Sequence, residues 1–250
     1  MNKNRIVVTM KLFEEQLIEG KKQYEYLKDI SKLGIVNVEI REEFLKEKKE
    51  ELKEIKELAK EYNFHLIYSV PAYLFVNKTL PMAIIEQYIN EAMCIDAKMI
   101  KFSLGEFDKN NLNLVIQLKK LLAQYNIQIT IENDQTELSG KVVNLIEFFE
   151  WCNKYELNIK GTFDIGNWYW VGENPIDNAK KIGRFINYIH LKDVILENFG
   201  PKTVSLSKGI VPWDQVLKMF PSHILIGLEF PGGTSPIDVI KESIEKLSAV

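Results

Sequence analysis

Eight short runs rich in β-branched and aromatic residues recur along the chain about every 30 residues, the length of one strand-plus-helix unit. They read RIVVTM (5–10), IVNVEIR (35–41), FHLIYSV (64–70), KMIKFSL (98–104), IQITIEN (127–133), IKGTFDI (159–165), INYIHLK (186–192) and HILIGLEF (223–230). Between them apolar residues follow helical spacing. The clearest stripe is Leu45, Leu52, Ile55, Ala59 and Tyr62, flanked by Leu58. Gly34 precedes the second strand, and Pro81, Pro175 and Pro236 stand where first helical turns are expected. Such alternation demands a parallel sheet covered by helices. Eight units in 250 residues match a (β/α)8 TIM barrel. A doubly wound open sheet would carry a glycine-rich phosphate turn after strand one, where this chain reads TMKLFEEQ. No Pro/Ser-rich linker or shift in composition divides the sequence, so residues 1–250 are expected to form one domain.

Hydrophobic residues make up 46% of the chain, enough for a full core. The net charge of −3 and the scarcity of arginine (Arg5, Arg41 and Arg184) argue against a nucleic-acid partner, which needs a basic footprint. The charged run EEFLKEKKEELKEIKELAKE reads as a solvated helix face with i,i+4 pairs. Cys94 and Cys152 lie far apart without metal or redox spacing and are expected to be reduced helix residues. The N-terminus has no apolar signal region and no run reaches membrane-spanning length, so the expectation is a soluble, cytoplasmic protein with no membrane partner.

In a TIM barrel, chemistry is done at the C-terminal ends of the strands. Four consecutive strands of this chain end in ionisable residues: Glu132, Asp164, His190 and Glu229. A single strand-end histidine is commonly only hydrogen-bonded to a neighbour, and a single strand-end carboxylate is commonly an ion pair. Four in a row converge on one point, and buried carboxylates are costly unless paired or bound to metal. Three oxygen ligands and one imidazole suit one divalent ion, Mn²⁺, Mg²⁺, Co²⁺ or Zn²⁺. Two octahedral positions would stay open for neighbouring oxygens of a substrate.

The segments VEIREEF (38–44), IEND (131–134), FDIGN (163–167), YIHLKD (188–193), KGIVPW (208–213) and GLEF (227–230) are similar, in this order, to motifs of the xylose-isomerase-like barrel superfamily, also described as sugar phosphate isomerase/epimerase or AP endonuclease family 2. The resemblance spans nearly the whole chain. It places the metal ligands at Glu132, Asp164, His190 and Glu229 and implies a divalent-metal-dependent sugar isomerase or epimerase. Such an enzyme acts on a ketose or related keto-sugar through a metal-stabilised enediolate. Glu132 and Glu229 would then exchange the proton, with His190 oriented by a further hydrogen bond. Lys192, Asn167, Trp168, Glu39 and Lys101 are the candidate substrate contacts.

Bland roles stand beside several of these. Lys192 equally suits an ion pair with Asp193 or with a neighbouring strand end, and Glu39 and Arg41 equally suit a mutual one. Trp168, with Tyr169 and Trp170, could stack on a sugar or pack under a loop. The loop PGGTSP (231–236) could cradle a phosphate or simply cap the last helix.

The resemblance also brings alternatives. A dehydratase of a keto-polyol would use the same site, a sugar-binding barrel would need no catalysis, and an AP endonuclease would need extra histidines for a three-zinc site. Those histidines would stand at Ser69, Asn167 and Thr203, and the aspartate that accompanies the last of them at Pro201, which disfavours phosphodiester cleavage. The expected partner is a small sugar, and assembly as a homo-oligomer is compatible with this reading.

Overall fold

The structure, a computed structural model, describes residues 3–248. All eight expected strands form, as β1 (Ile6–Thr9), β2 (Asn37–Arg41), β3 (His65–Phe75), β4 (Met99–Gly105), β5 (Gln128–Glu132), β6 (Ile159–Asp164), β7 (Ile186–Leu191) and, after an inserted hairpin, β10 (Leu225–Leu228). The hairpin strands are β8 (Asp193–Glu197) and β9 (Gly200–Val204), which pair antiparallel in a segment expected to be a plain loop. The other eight strands close into a barrel in which each pairs parallel with its neighbours and β10 returns to β1. This is the (β/α)8 TIM barrel that the strand spacing predicts.

Alternation along each strand divides side chains between two environments. Val38, Ile40, Ile100, Phe102, Ile129, Ile131, Phe163, Ile189, Leu191, Ile226 and Leu228 belong to the large core shared with the helices. Their neighbours one residue away face the barrel interior. Toward the N-terminal end that interior is plugged by a separate apolar cluster of Val7, Ile67, Met99 and Tyr188. One step higher, Thr130 and Thr162 hydrogen-bond across β5 and β6 at 2.9 Å. One further step brings the same period to Glu132, Asp164 and His190.

The helix predicted from the Leu52/Ile55/Ala59 stripe spans Lys48–Glu61 and buries those three residues. Its charges are satisfied largely between elements rather than along the helix, as in Lys22–Glu51 (2.9 Å) and Lys48–Glu91 (3.1 Å). Pro175 and Pro236 each open a helix, whereas Pro81 is the residue before one. Cys94 is exposed and Cys152 buried, and both are free. Among the described residues, no helix is long and apolar enough to cross a membrane.

Gly227 shows how closely the interior is filled. A Cβ there would overlap the Tyr188 hydroxyl and lie 3.1 Å from the His190 ring. Since Tyr188 is fully buried and its hydroxyl is bonded to Glu39, it has nowhere to retreat. Gly227→Ala is therefore expected to cost about 1–3 kcal/mol by overpacking, measurable as a lowered denaturation midpoint; an unchanged midpoint would refute this packing argument.

Candidate metal and active site

The strand-end residues converge. Asp164 and His190 are direct register partners on β6 and β7, and the Glu229 amide continues the ladder to the Leu191 carbonyl. One donor atom from each of Glu132, Asp164, His190 and Glu229 lies within 4.8 Å of the others, and all four residues are buried. Burying three carboxylates at one point is unfavourable unless cations and hydrogen bonds surround them. The barrel supplies both.

Lys101, from β4, is tightly paired to Glu132 Oε2. The other Glu132 oxygen lies 2.5 Å from His190 Nδ1. On the far side of the ring, His190 Nε2 is 2.7 Å from Glu39 Oε2, which also accepts the Tyr188 hydroxyl at 2.9 Å. Arg41 pairs with Glu229 Oε1 at 2.5 Å and with Glu39 at 3.4 Å. Lys192 Nζ lies 2.7 Å from Asp164 Oδ2 and 2.8 Å from Glu229 Oε2. Asp164 Oδ1 accepts the amides of Gly166 and Asn167, each at 2.9 Å.

These contacts set the protonation of the cluster. Burial raises the Glu132 carboxyl, but Lys101 and His190 overcome this and hold it down at about 2. Glu229 is likewise kept well below the usual carboxylate range, burial being outweighed by Lys192, His190 and Arg41. Asp164 behaves differently: burial together with Glu229 and Glu132 raises it to about 8 despite Lys192. His190 is raised well above its ordinary value because Glu39, Glu229 and Glu132 outweigh its burial.

The residues fit a divalent cation on an observation independent of family. Asp164 Oδ2 and Glu229 Oε2 are buried and accept no hydrogen bond; both lie at ion-pair distance from the Lys192 ammonium, and Glu229 Oε2 also lies 3.5 Å from His190 Nδ1. These are two of the atoms a metal would take. Because Glu39 engages Nε2, the other nitrogen of His190 is directed at the cluster, the arrangement that orients metal-binding histidines. Above the cluster opens a cavity of about 600 Å³, walled by Lys11, Arg41, Gln135, Thr136, Thr203 and Pro231 around Glu132, Asn167, Lys192 and Glu229.

Other candidates are placed as follows. Asn167 lines the cavity, and its Oδ1 accepts from Gln135 at 3.0 Å and Lys192 at 3.2 Å. Lys101 lies buried against Glu132, below the cavity wall. Two expected substrate contacts are corrected. Glu39 is fully buried behind His190, so it orients the ring instead of reaching a ligand. Trp168 is fully buried against Phe163, with ring centroids 5.3 Å apart, and packs under the loop. Lys192 pairs with neighbouring strand ends and not with Asp193. Asp193 instead accepts the amides of Val194, Gly209 and Val211 and ties the hairpin down. A Cβ at Gly209 would overlap that carboxylate and the Val194 carbonyl, which explains the glycine in KGIVPW.

The sequence reading missed Asn133. Its amide holds Asp164 in place, accepting from the Asp164 N–H at 2.8 Å and donating to the Asp164 carbonyl at 2.9 Å. Its position directly after Glu132 was the available signal. The two histidines besides His190, His65 and His223, are exposed just before or at the N-terminal ends of their strands, remote from the site.

Residues 27–250 match the family described as xylose isomerase-like TIM barrel. The chain belongs to this family. No curated protein matches it significantly. Among solved structures it is similar to the probable 3-DHS dehydratase AsbF of Bacillus anthracis, at 16% identity and a TM-score of 0.72, with 98% of each chain covered. It is also similar to the 3-keto-D-glucoside 4-epimerase YcjR of E. coli, at 11% identity and a TM-score of 0.69, covering 99% of this chain and 100% of that one. A third is the IOLI protein with a zinc atom, at 14% identity and a TM-score of 0.70, covering 97% and 96%. At such identities the likeness is one of fold, and that fold is shared by an epimerase and by a probable dehydratase.

Proposed function

We propose that this protein is a divalent-metal-dependent isomerase or epimerase that moves a proton beside the carbonyl of a keto-sugar. The observation carrying this reading is that two carboxylates held ionised, Glu132 and Glu229, flank one donor cluster at the floor of an open cavity. Glu132, Asp164, His190 and Glu229 would hold the ion, which when bound supplies Lewis-acid polarisation of a substrate carbonyl. Glu132 accepts or returns a proton on one side of the substrate and Glu229 on the other. Delivery to the opposite face gives an epimer, and delivery to the neighbouring carbon gives an isomer. Asn167 and Lys192 offer hydrogen bonds to substrate oxygens from the cavity wall.

A second reading, a dehydratase, is favoured by Lys192, a protonated donor on the cavity floor that could serve a departing hydroxyl. Both readings are tested by incubating Mn²⁺-loaded protein with a panel of ketoses and keto-polyols in D₂O and following proton NMR. Loss of one C–H signal with a new stereoisomer or positional isomer is the expected result. An unsaturated product assigns the lyase instead. Tight Mn²⁺ binding with no exchange in any substrate would overturn the keto-sugar class.

A further inference from the structure

We propose that the groove between the Lys48–Glu61 helix and the next long helix, Met82–Cys94, is a docking surface for an acidic amphipathic helix of another protein. The two helices pack side by side on the outside of the barrel. Two cavities of about 440 and 340 Å³ lie along this seam and share Lys56. The lower one reaches His65, which starts β3, and Lys98, just before β4. The groove thus runs toward the N-terminal end of the barrel, away from the candidate metal site. Its floor is apolar, built from Leu52, Ala59, Phe64 and Ile95.

Its wall is cationic. Lys49, Lys53, Lys56 and Lys60 recur at i, i+4, i+7 and i+11 and form one exposed ridge along the first helix, about 16 Å long at 1.5 Å per residue. Glu50, Glu54, Glu57 and Glu61 repeat that spacing one residue on, as a second exposed ridge turned about 100° away. Alternating the two signs along one ridge would stabilise the helix, whereas this segregation gives each lysine other lysines as its ridge neighbours. The rest of the chain does not neutralise the groove. Lys48 lies between Glu42 (2.5 Å) and Glu91 (3.1 Å), and Glu91 also accepts from Tyr68 and Gln87. Lys56 pairs with Asp96 at 3.1 Å, and Lys53 reaches Glu57 only at 3.9 Å. Lys49, Lys60 and Lys98 make no ion pair among the described residues. Six ammonium groups therefore meet four carboxylates, in a chain whose net charge is −3.

This chemistry selects the occupant. Among the described residues no arginine lines the groove, so the planar, bidentate recognition that suits phosphate is missing. Separate point charges about 5–6 Å apart match carboxylates repeated along one face of a helix, and the apolar floor calls for apolar side chains beside them. A fatty acid would bring one carboxylate to six ammonium groups, and a nucleic acid would bring phosphates without an apolar face.

The probe is a fluorescein-labelled helical peptide of about 15 residues, with glutamate at i, i+4, i+7 and i+11 and leucine beside each. Its anisotropy on the full chain is compared with that of the same peptide carrying glutamine at those positions. The glutamate peptide is expected to bind about tenfold or more tightly, the sum of several modest exposed pairs, and to lose that advantage in about 0.5 M NaCl. Changing Lys49, Lys53, Lys56 and Lys60 together to Gln is expected to abolish the preference. The same change at Lys180, Lys181, Lys218 and Lys241, exposed lysines elsewhere, is expected to keep it. Should the fourfold groove variant fail to fold, Lys49→Gln/Lys60→Gln removes only lysines without ion pairs and is expected to weaken the preference about threefold. Equal binding of the two peptides, binding of neither, a preference that survives in the folded groove variant, or one lost equally in the control variant overturns the proposal. A single-stranded oligonucleotide of equal charge that binds the groove more tightly than the peptide overturns the assignment to an acidic helix.

Discussion

Glu229→Gln is expected to lower turnover by about 10²–10⁴-fold, the usual contribution of a positioned general acid or base, with little loss of stability. The amide keeps the shape of the side chain but cannot accept a proton. Its neighbours are not stranded: Lys192 retains Asp164, and Arg41 retains Glu39 and Glu43. Glu132→Gln is expected to lose as much activity and considerably more stability, because among the described residues Glu132 is the sole ion-pair partner of buried Lys101. Breaking one side of such a pair costs about 3–5 kcal/mol. Turnover under saturating Mn²⁺, paired with chemical denaturation, separates these effects. Wild-type turnover in either variant would sink the acid–base assignment, and equal stability of the two would sink the account of Lys101.

Metal binding is expected to release protons and to strengthen steeply with pH. The Asp164 carboxyl, raised to about 8 by burial and by Glu229 and Glu132, is largely protonated at neutral pH in the metal-free barrel. His190 is also protonated there, held so by Glu39, Glu229 and Glu132 against its burial. Both must be deprotonated to act as ligands. Protons compete with the ion, so affinity falls as pH drops below about 8, by about tenfold per unit for each proton displaced. Glu132 and Glu229 are already ionised and add nothing to this dependence in the same range. Mn²⁺ titrations in buffers of different ionisation enthalpy would show the released protons. Affinity that is flat between about pH 6 and 8, with no buffer dependence, would rule out protonated Asp164 and His190 as the resting state of the ligands.

The eight barrel strands and their order were legible because a strand buried on both faces leaves a continuous apolar run, and the runs recur at the length of one unit. The four strand-end residues were legible for the same reason: a charge at the tip of an apolar run is conspicuous. The hairpin at residues 193–204 was not. Its sequence, DVILENFGPKTV, lies outside the strand–helix rhythm, and its pairing depends on Asp193 collecting amides from Gly209 and Val211. Trp168 follows a catalytic-looking strand end, which made a place in the cavity plausible, yet the turn after β6 sends the indole into the core.

Glu39 illustrates the division best. Its position on the interior face of β2 follows from alternation alone. That it lies behind His190, and not in front of it facing substrate, depends on closure of the barrel, which brings β2 and β7 together from opposite sides of the ring. The pairing of Lys192 with Asp164 and Glu229 likewise depends on the register of β6, β7 and β10. Composition and periodicity along one chain settle which residues face inward and at which height. Which of them touch is decided by distances across the barrel, and those exist only once the last strand has closed on the first.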